Sequence, residues 1–71
     1  MKTYRLGSSP MIHTPGILAW AQNGYQFEED RPQLLRIMTS AFPSVPPEAL
    51  DLLLKCEVSH TVVDEVVEFS A

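Results

Sequence analysis

The sequence is short of cysteine and of long apolar runs. Cys56 is its single cysteine, so a disulfide-stapled fold is excluded and a reducing, cytoplasmic location is expected. The longest apolar runs, such as residues 16–21, fall far below the roughly 20 residues of a membrane-spanning helix. The first ten residues contain no apolar leader segment. We therefore predict neither secretion nor contact with a membrane.

Basic residues are also scarce. Five Lys and Arg stand against nine Asp and Glu, which gives a formal net charge of -4 and a pI near 4.9. Such a balance repels phosphate groups, so nucleic acid is not expected as a direct ligand. A hydrophobic content of 45% is nevertheless typical of a globular protein. With 71 residues, we predict one small domain, residues 1–71, with a thin core.

The first half of the chain predicts a strand and two helices. Tyr4 and Leu6 alternate with Thr3 and Arg5, which predicts a short strand within residues 2–6. Thr14 is predicted to cap a helix whose first residue is Pro15, and this helix should end near residue 23 with Trp20 buried as its anchor. A second helix is predicted from a cap at Asp30 to the proline at position 43. Its apolar stripe contains Leu34, Leu35, Met38, Ala41 and Phe42.

The second half predicts a third helix and a hairpin. Pro47 and Glu48 favour a helix start, and the apolar residues reach to Cys56. The four valines of residues 62–67 fit a helical stripe or strands, but β-branched side chains favour strands. A turn at Asp64 and Glu65 makes a hairpin of residues 58–70. Its inner face would contain Val58, His60, Val62, Val67 and Phe69. The predicted fold class is α+β, with three short helices on a small antiparallel sheet.

Residues that could carry chemistry are few. Cys56 and His60 lie four apart, but a catalytic dyad also needs a third, orienting group. A zinc site from His13, Cys56, His60 and a carboxylate lacks the paired spacing of known zinc motifs. The simpler interpretation is a buried thiol beside a half-buried histidine. Phosphate-binding and metalloprotease motifs are missing as well. We therefore predict no enzyme, no metal and no cofactor.

The order of strand, three helices and terminal hairpin resembles the winged helix-turn-helix topology. In that comparison residues 47–56 form the recognition helix and the hairpin is the wing, which implies a regulatory or DNA-binding domain. The helix would present Glu48 and Asp51 against a single Lys55, and Asp64 with Glu65 would form the wing tip. Carboxylates at these positions argue against contact with phosphate.

The stretch of residues 34–54, with Phe42 and Pro43 at its centre, resembles the first half of a CUE domain. That family is a three-helix module that binds ubiquitin, with a Phe-Pro pair after its first helix. The resemblance implies a helical fold and a ubiquitin-binding role for Phe42 and Pro43. The di-leucine that closes the third helix of a CUE domain has no counterpart, since Val66, Val67 and Phe69 occupy that region.

Five of the nine carboxylates lie in two short runs at expected turns. These are Glu28, Glu29 and Asp30, and Asp64 with Glu65. A small acidic chain of this kind resembles the inhibitors that bacteriophages and other mobile elements encode, anti-CRISPR proteins among them. The resemblance implies a binding protein that occupies a basic nucleic-acid groove of its target. We predict a non-catalytic inhibitor or adaptor whose five clustered carboxylates meet a protein partner with a basic surface.

Overall fold

A computed structural model describes residues 1–23 and 31–71, and these residues form three helices and a three-stranded antiparallel sheet. The predicted α+β class is confirmed. In chain order the elements are β1 (Thr3–Leu6), α1 (Thr14–Asn23), α2 (Arg31–Ala41), α3 (Pro47–Leu54), β2 (His60–Val63) and β3 (Val66–Ser70).

The strands are arranged in the order β1-β3-β2, so β3 is central and antiparallel to both neighbours. Tyr4 lies opposite Phe69 and Leu6 opposite Val67. Directly opposed residues share a face, and Leu6, Val67 and Phe69 are buried there. The Tyr4 and Phe69 rings also lie 5.5 Å apart between centroids. This inner face packs against the helices, as the alternation in residues 2–6 predicted.

Helix α1 begins differently from the sequence prediction. The Ile17 N–H donates to the His13 carbonyl at 3.0 Å, so the first helical hydrogen bond reaches back to His13. The Thr14 hydroxyl donates instead to the Gly7 carbonyl at 2.7 Å. The predicted capping role of Thr14 is therefore wrong. Its side chain joins the start of α1 to the end of β1.

Trp20 is not the buried anchor that the sequence predicted. Its side chain is 46% exposed, whereas Leu18 and Ala21 on the same helix are buried. Successive residues of a helix are separated by about 100° around its axis. Trp20 consequently lies at the flank of the buried stripe, where it borders a shallow groove with Leu34 and Ile37 of α2.

Helices α2 and α3 supply most of the remaining core. Met38 is fully buried, and the rest of the predicted α2 stripe is partly buried. The Phe42 N–H still donates to the Met38 carbonyl at 2.9 Å before Pro43 ends the helix. Helix α3 buries Ala49, Leu50, Leu53 and Leu54.

Helix α3 ends at Leu54, two residues before the predicted end. Cys56 has a φ of 63°, its N–H donates to the Leu53 carbonyl, and the Glu57 N–H donates to the Leu52 carbonyl. This pattern is a Schellman motif, in which a left-handed residue stops the helix. The turn directs Cys56 outward as an exposed free thiol. The prediction of a buried thiol is wrong.

The predicted hairpin is confirmed, with His60 opposite Phe69 and Val62 opposite Val67. The predicted inner-face set is buried only in part. Val67 and Phe69 are buried, and Val58 and His60 are partly buried, but Val62 is 46% exposed. Strand β2 is an edge strand. The residues that a CUE domain would place in its third helix lie in β3, so the tail is not helical.

Candidate interaction surface

Asp64 and Glu65 form the two-residue turn of the hairpin, as the sequence predicted. Both residues are exposed, with φ angles of 51° and 65°. Two successive positive φ angles are the signature of a type I′ turn, whose twist matches that of the flanking strands. The turn therefore presents two adjacent carboxylates at the tip of the hairpin.

The hairpin tip is tied to the start of α1 through Ser8. The Ser8 hydroxyl donates to the Glu65 carbonyl at 2.9 Å and accepts from the Thr14 N–H at 3.2 Å. A hydroxyl group can donate and accept at once, so one side chain connects both elements. These contacts fix the position of the acidic turn relative to the helices.

The charge at the tip is only weakly compensated. His13 Nε2 lies 3.9 Å from Glu65 Oε1, and both side chains are exposed. Asp64 makes no ion pair within the residues that the structure describes. Exposed pairs at this distance contribute little free energy. The turn thus retains a negative field that points away from the protein.

The outer face of the sheet carries polar pairs across the strands. Arg5 Nε donates to Glu68 Oε2 at 2.7 Å, and the Thr3 and Ser70 hydroxyls lie 3.0 Å apart. Next to these pairs is an open depression of about 390 Å³, lined by Arg5, Asp64 and Val63 among others. Val63 is 67% exposed. The face therefore combines an apolar patch with charges of both signs.

A second carboxylate pattern lies on α3. Glu48 occupies its first turn, and Asp51 pairs with Lys55 at 2.8 Å between the carboxylate and Nζ. The hydrogen bond from Lys55 to this carboxylate raises the pKa of the lysine. The exposed surface of α3 thus carries the negative charge of Glu48, while the charges of Asp51 and Lys55 neutralise each other.

The structure describes only part of the predicted site. Asp64 and Glu65 lie together at the hairpin tip. Glu28, Glu29 and Asp30 lie outside the described residues, and so does the predicted cap of α2. The geometry of the candidate surface is therefore that of the hairpin, with its contacts to Ser8 and His13.

Residues 1–23 and 31–71 contain no group of three or more His, Cys, Asp or Glu side chains suited to a metal ion. The His13, Cys56 and His60 arrangement is therefore not assembled as a zinc site in this part of the chain. In the same residues, no helix has the length and apolarity needed to cross a membrane.

Sequence reasoning missed the residues that support the acidic turn. Ser8 and His13 precede Glu65 by more than 50 positions, so local patterns do not connect them with this residue. The Arg5 and Glu68 pair had a weak signal, because both lie on the polar side of predicted strands.

Comparisons with family models, with curated proteins and with solved structures found no match to this chain.

Proposed function

We propose that this protein acts without catalysis, by binding a protein partner that has a basic surface. The observation that carries the proposal is the type I′ turn, which presents Asp64 and Glu65 side by side. The Ser8 hydrogen bond holds this turn in place before any partner arrives. A surface that is ordered in advance loses less conformational entropy on binding.

The partner we propose is a protein whose Lys and Arg side chains line a groove for nucleic acid. The net charge of -4 and the weakly compensated hairpin tip are complementary to such a groove. Occupation of the groove would exclude the nucleic acid, so the protein would act as an inhibitor or adaptor. The exposed free thiol of Cys56 favours a reducing, cytoplasmic setting for this activity.

Direct DNA binding by a winged helix is the alternative with less support. Four of the eight α3 residues are buried, and its first turn holds the exposed Glu48. A recognition helix instead needs exposed side chains that donate to bases or phosphates. The wing tip would bring two carboxylates toward the DNA backbone.

The test removes both tip charges without weakening the turn. In the double variant Asp64→Asn, Glu65→Gly, both new residues suit a type I′ turn, and the variant keeps the backbone carbonyl of residue 65 to which the Ser8 hydroxyl donates. Quantitative affinity capture from the native host, followed by mass spectrometry, compares this variant with the unaltered protein. We expect loss of a specific captured protein.

The matched control is the double variant Glu48→Gln, Asp51→Asn, which removes the same charge from α3, away from the hairpin, at the cost of a surface ion pair that contributes little free energy. With the purified partner, the tip variant should bind about ten-fold more slowly at low salt and with a flatter salt dependence, whereas the control retains fast association. Added DNA should compete with the unaltered protein for the nucleic-acid groove of the partner. Equal association rates for the two variants would contradict the proposal.

A further inference from the structure

The hydrogen-bond pattern of the sheet shows which backbone groups of β2 face outward. Lys2 and Ala71 exchange two backbone hydrogen bonds, at 2.9 and 3.0 Å. Such pairs alternate along an antiparallel ladder. In the observed register, Phe69 and Val67 therefore bond toward β1, and Glu68 and Val66 bond toward β2.

It follows that Thr61 and Val63, opposite Glu68 and Val66, use their backbone groups within the sheet. The backbone N–H and C=O groups of His60 and Val62 point to the outer edge of β2 instead. No strand within the described part of the chain pairs with that edge. Two outward donors and two outward acceptors thus form a short, regular template for another strand.

The two edges of the sheet differ in how they discourage such pairing. Strand β1 is flanked by Lys2 and contains Arg5, and charged side chains on an edge oppose the addition of a further strand. Strand β2 consists of His60, Thr61, Val62 and Val63, with no lysine, arginine or proline. Its two valines are 46% and 67% exposed. The unprotected edge is therefore β2.

We propose that β2 is a docking strand to which an extended segment of the partner adds antiparallel, apolar in its middle and basic at both ends. Val62 and Val63 would contact the apolar middle, one on each face. Asp64 and Glu65 follow β2, and Glu57 precedes it. Carboxylates at both ends match basic residues at both ends of the added strand. The inference rests on the proposed function and specifies its binding mode.

A second copy of this chain fits the same edge poorly. If Val62 of one copy pairs antiparallel with His60 of another, the acidic turn of each copy approaches the end of the neighbouring β2 that Glu57 precedes. Repulsion between these carboxylates opposes the dimer, and both copies carry a net charge of -4. Charge complementarity therefore favours a basic segment over self-association.

The probe is a synthetic peptide of about nine residues, Lys-Arg-Thr-Val-Val-Val-Thr-Arg-Lys, which has the length and charge pattern of the proposed segment and places valine on both of its faces. The control peptide has the same sequence with an N-methyl group on every residue, so it keeps its charges but has no backbone donors. Two-dimensional NMR of the unaltered protein should show shifts and exchange protection at the His60 and Val62 amides with the first peptide alone. Equal binding of the methylated peptide would overturn the proposal.

A matched pair of proline variants tests the edge itself. Val62→Pro removes an outward N–H of β2, and Thr3→Pro removes an outward N–H of β1, so neither interrupts the ladder. Val62→Pro should weaken peptide binding at least about five-fold, the effect of one lost hydrogen bond, and Thr3→Pro should leave it unchanged. Circular dichroism checks that both variants fold. Equal dissociation constants for the two variants would overturn strand docking.

The outcomes separate this inference from the proposed function. One outcome is weaker binding by the Asp64→Asn, Glu65→Gly variant with unchanged binding by Val62→Pro. That outcome would support the acidic surface as the binding site and overturn the proposal that β2 is a docking strand. If peptide binding depends neither on salt concentration nor on the Asp64→Asn, Glu65→Gly substitutions, the proposal of a partner with a basic surface is contradicted. Concentration-dependent dimerisation through His60 and Val62 without peptide would overturn the choice of occupant.

Discussion

The Thr14 hydroxyl donates a hydrogen bond of 2.7 Å to the Gly7 carbonyl, seven residues earlier in the chain. Thr14 is the fully buried polar residue of the described structure, with 0% of its surface exposed. Its N–H in turn donates to Ser8, which binds the Glu65 carbonyl. The junction between β1 and α1 thus supports the turn on which the proposed function depends.

Replacement of Thr14 by valine should lower the free energy of unfolding by about 1–3 kcal/mol. Valine has nearly the same shape but leaves the Gly7 carbonyl without its partner in a part-buried position. Thermal denaturation measures the effect. Thr61→Val, at an exposed position of β2, is the control and should change stability by less than about 0.5 kcal/mol. Equal melting temperatures would show that the hydrogen bond is unimportant.

Replacement of Cys56 by glycine should stabilise the protein by about 1 kcal/mol. Cys56 has a φ of 63°, a left-handed conformation that glycine adopts without steric cost. Chemical denaturation with and without the substitution tests this. Cys56→Ala removes the thiol but keeps the steric cost, so it should give no such gain. A stabilisation shared by both variants would indicate an effect of the thiol rather than of the backbone.

The double variant Asp64→Asn, Glu65→Gly should also raise the melting temperature, by an amount equivalent to about 1 kcal/mol. Asn-Gly is the preferred sequence for a type I′ turn, whereas glutamate at φ 65° is disfavoured. Glu65→Ala is the comparison, because it removes the charge and keeps the unfavourable φ. A lower melting temperature for the double variant would mean that the His13 contact outweighs the conformational gain.

Leu18→Ala should destabilise the protein more than Trp20→Ala. Leu18 is fully buried, and its truncation should cost about 2–5 kcal/mol. Trp20 is 46% exposed, so its truncation should cost about 1–2 kcal/mol, below the usual value for a buried aromatic residue. Urea denaturation of the two variants decides the order. The reverse order would restore Trp20 as the anchor of α1.

Local sequence signals determined the elements of this protein. Alternation predicted β1, proline placed the end of α2 and the start of α3, and β-branched residues favoured the hairpin over a helix. The turn at Asp64 and Glu65 followed from the register of the flanking valines. These features depend on residues close together in the chain, so local conformational preferences were sufficient.

Tertiary structure alone decided which of these residues are buried and what the hairpin contacts. The order β1-β3-β2 left β2 at an edge, and Val62 is therefore half-exposed despite its correct register. Trp20 lies at the flank of the buried stripe of α1, where it is 46% exposed. Ser8 and Glu65 are 57 residues apart in the sequence, so their hydrogen bond forms only in the folded chain. Burial and long-range hydrogen bonds depend on the packing of whole elements, and periodicity within one element does not contain that information.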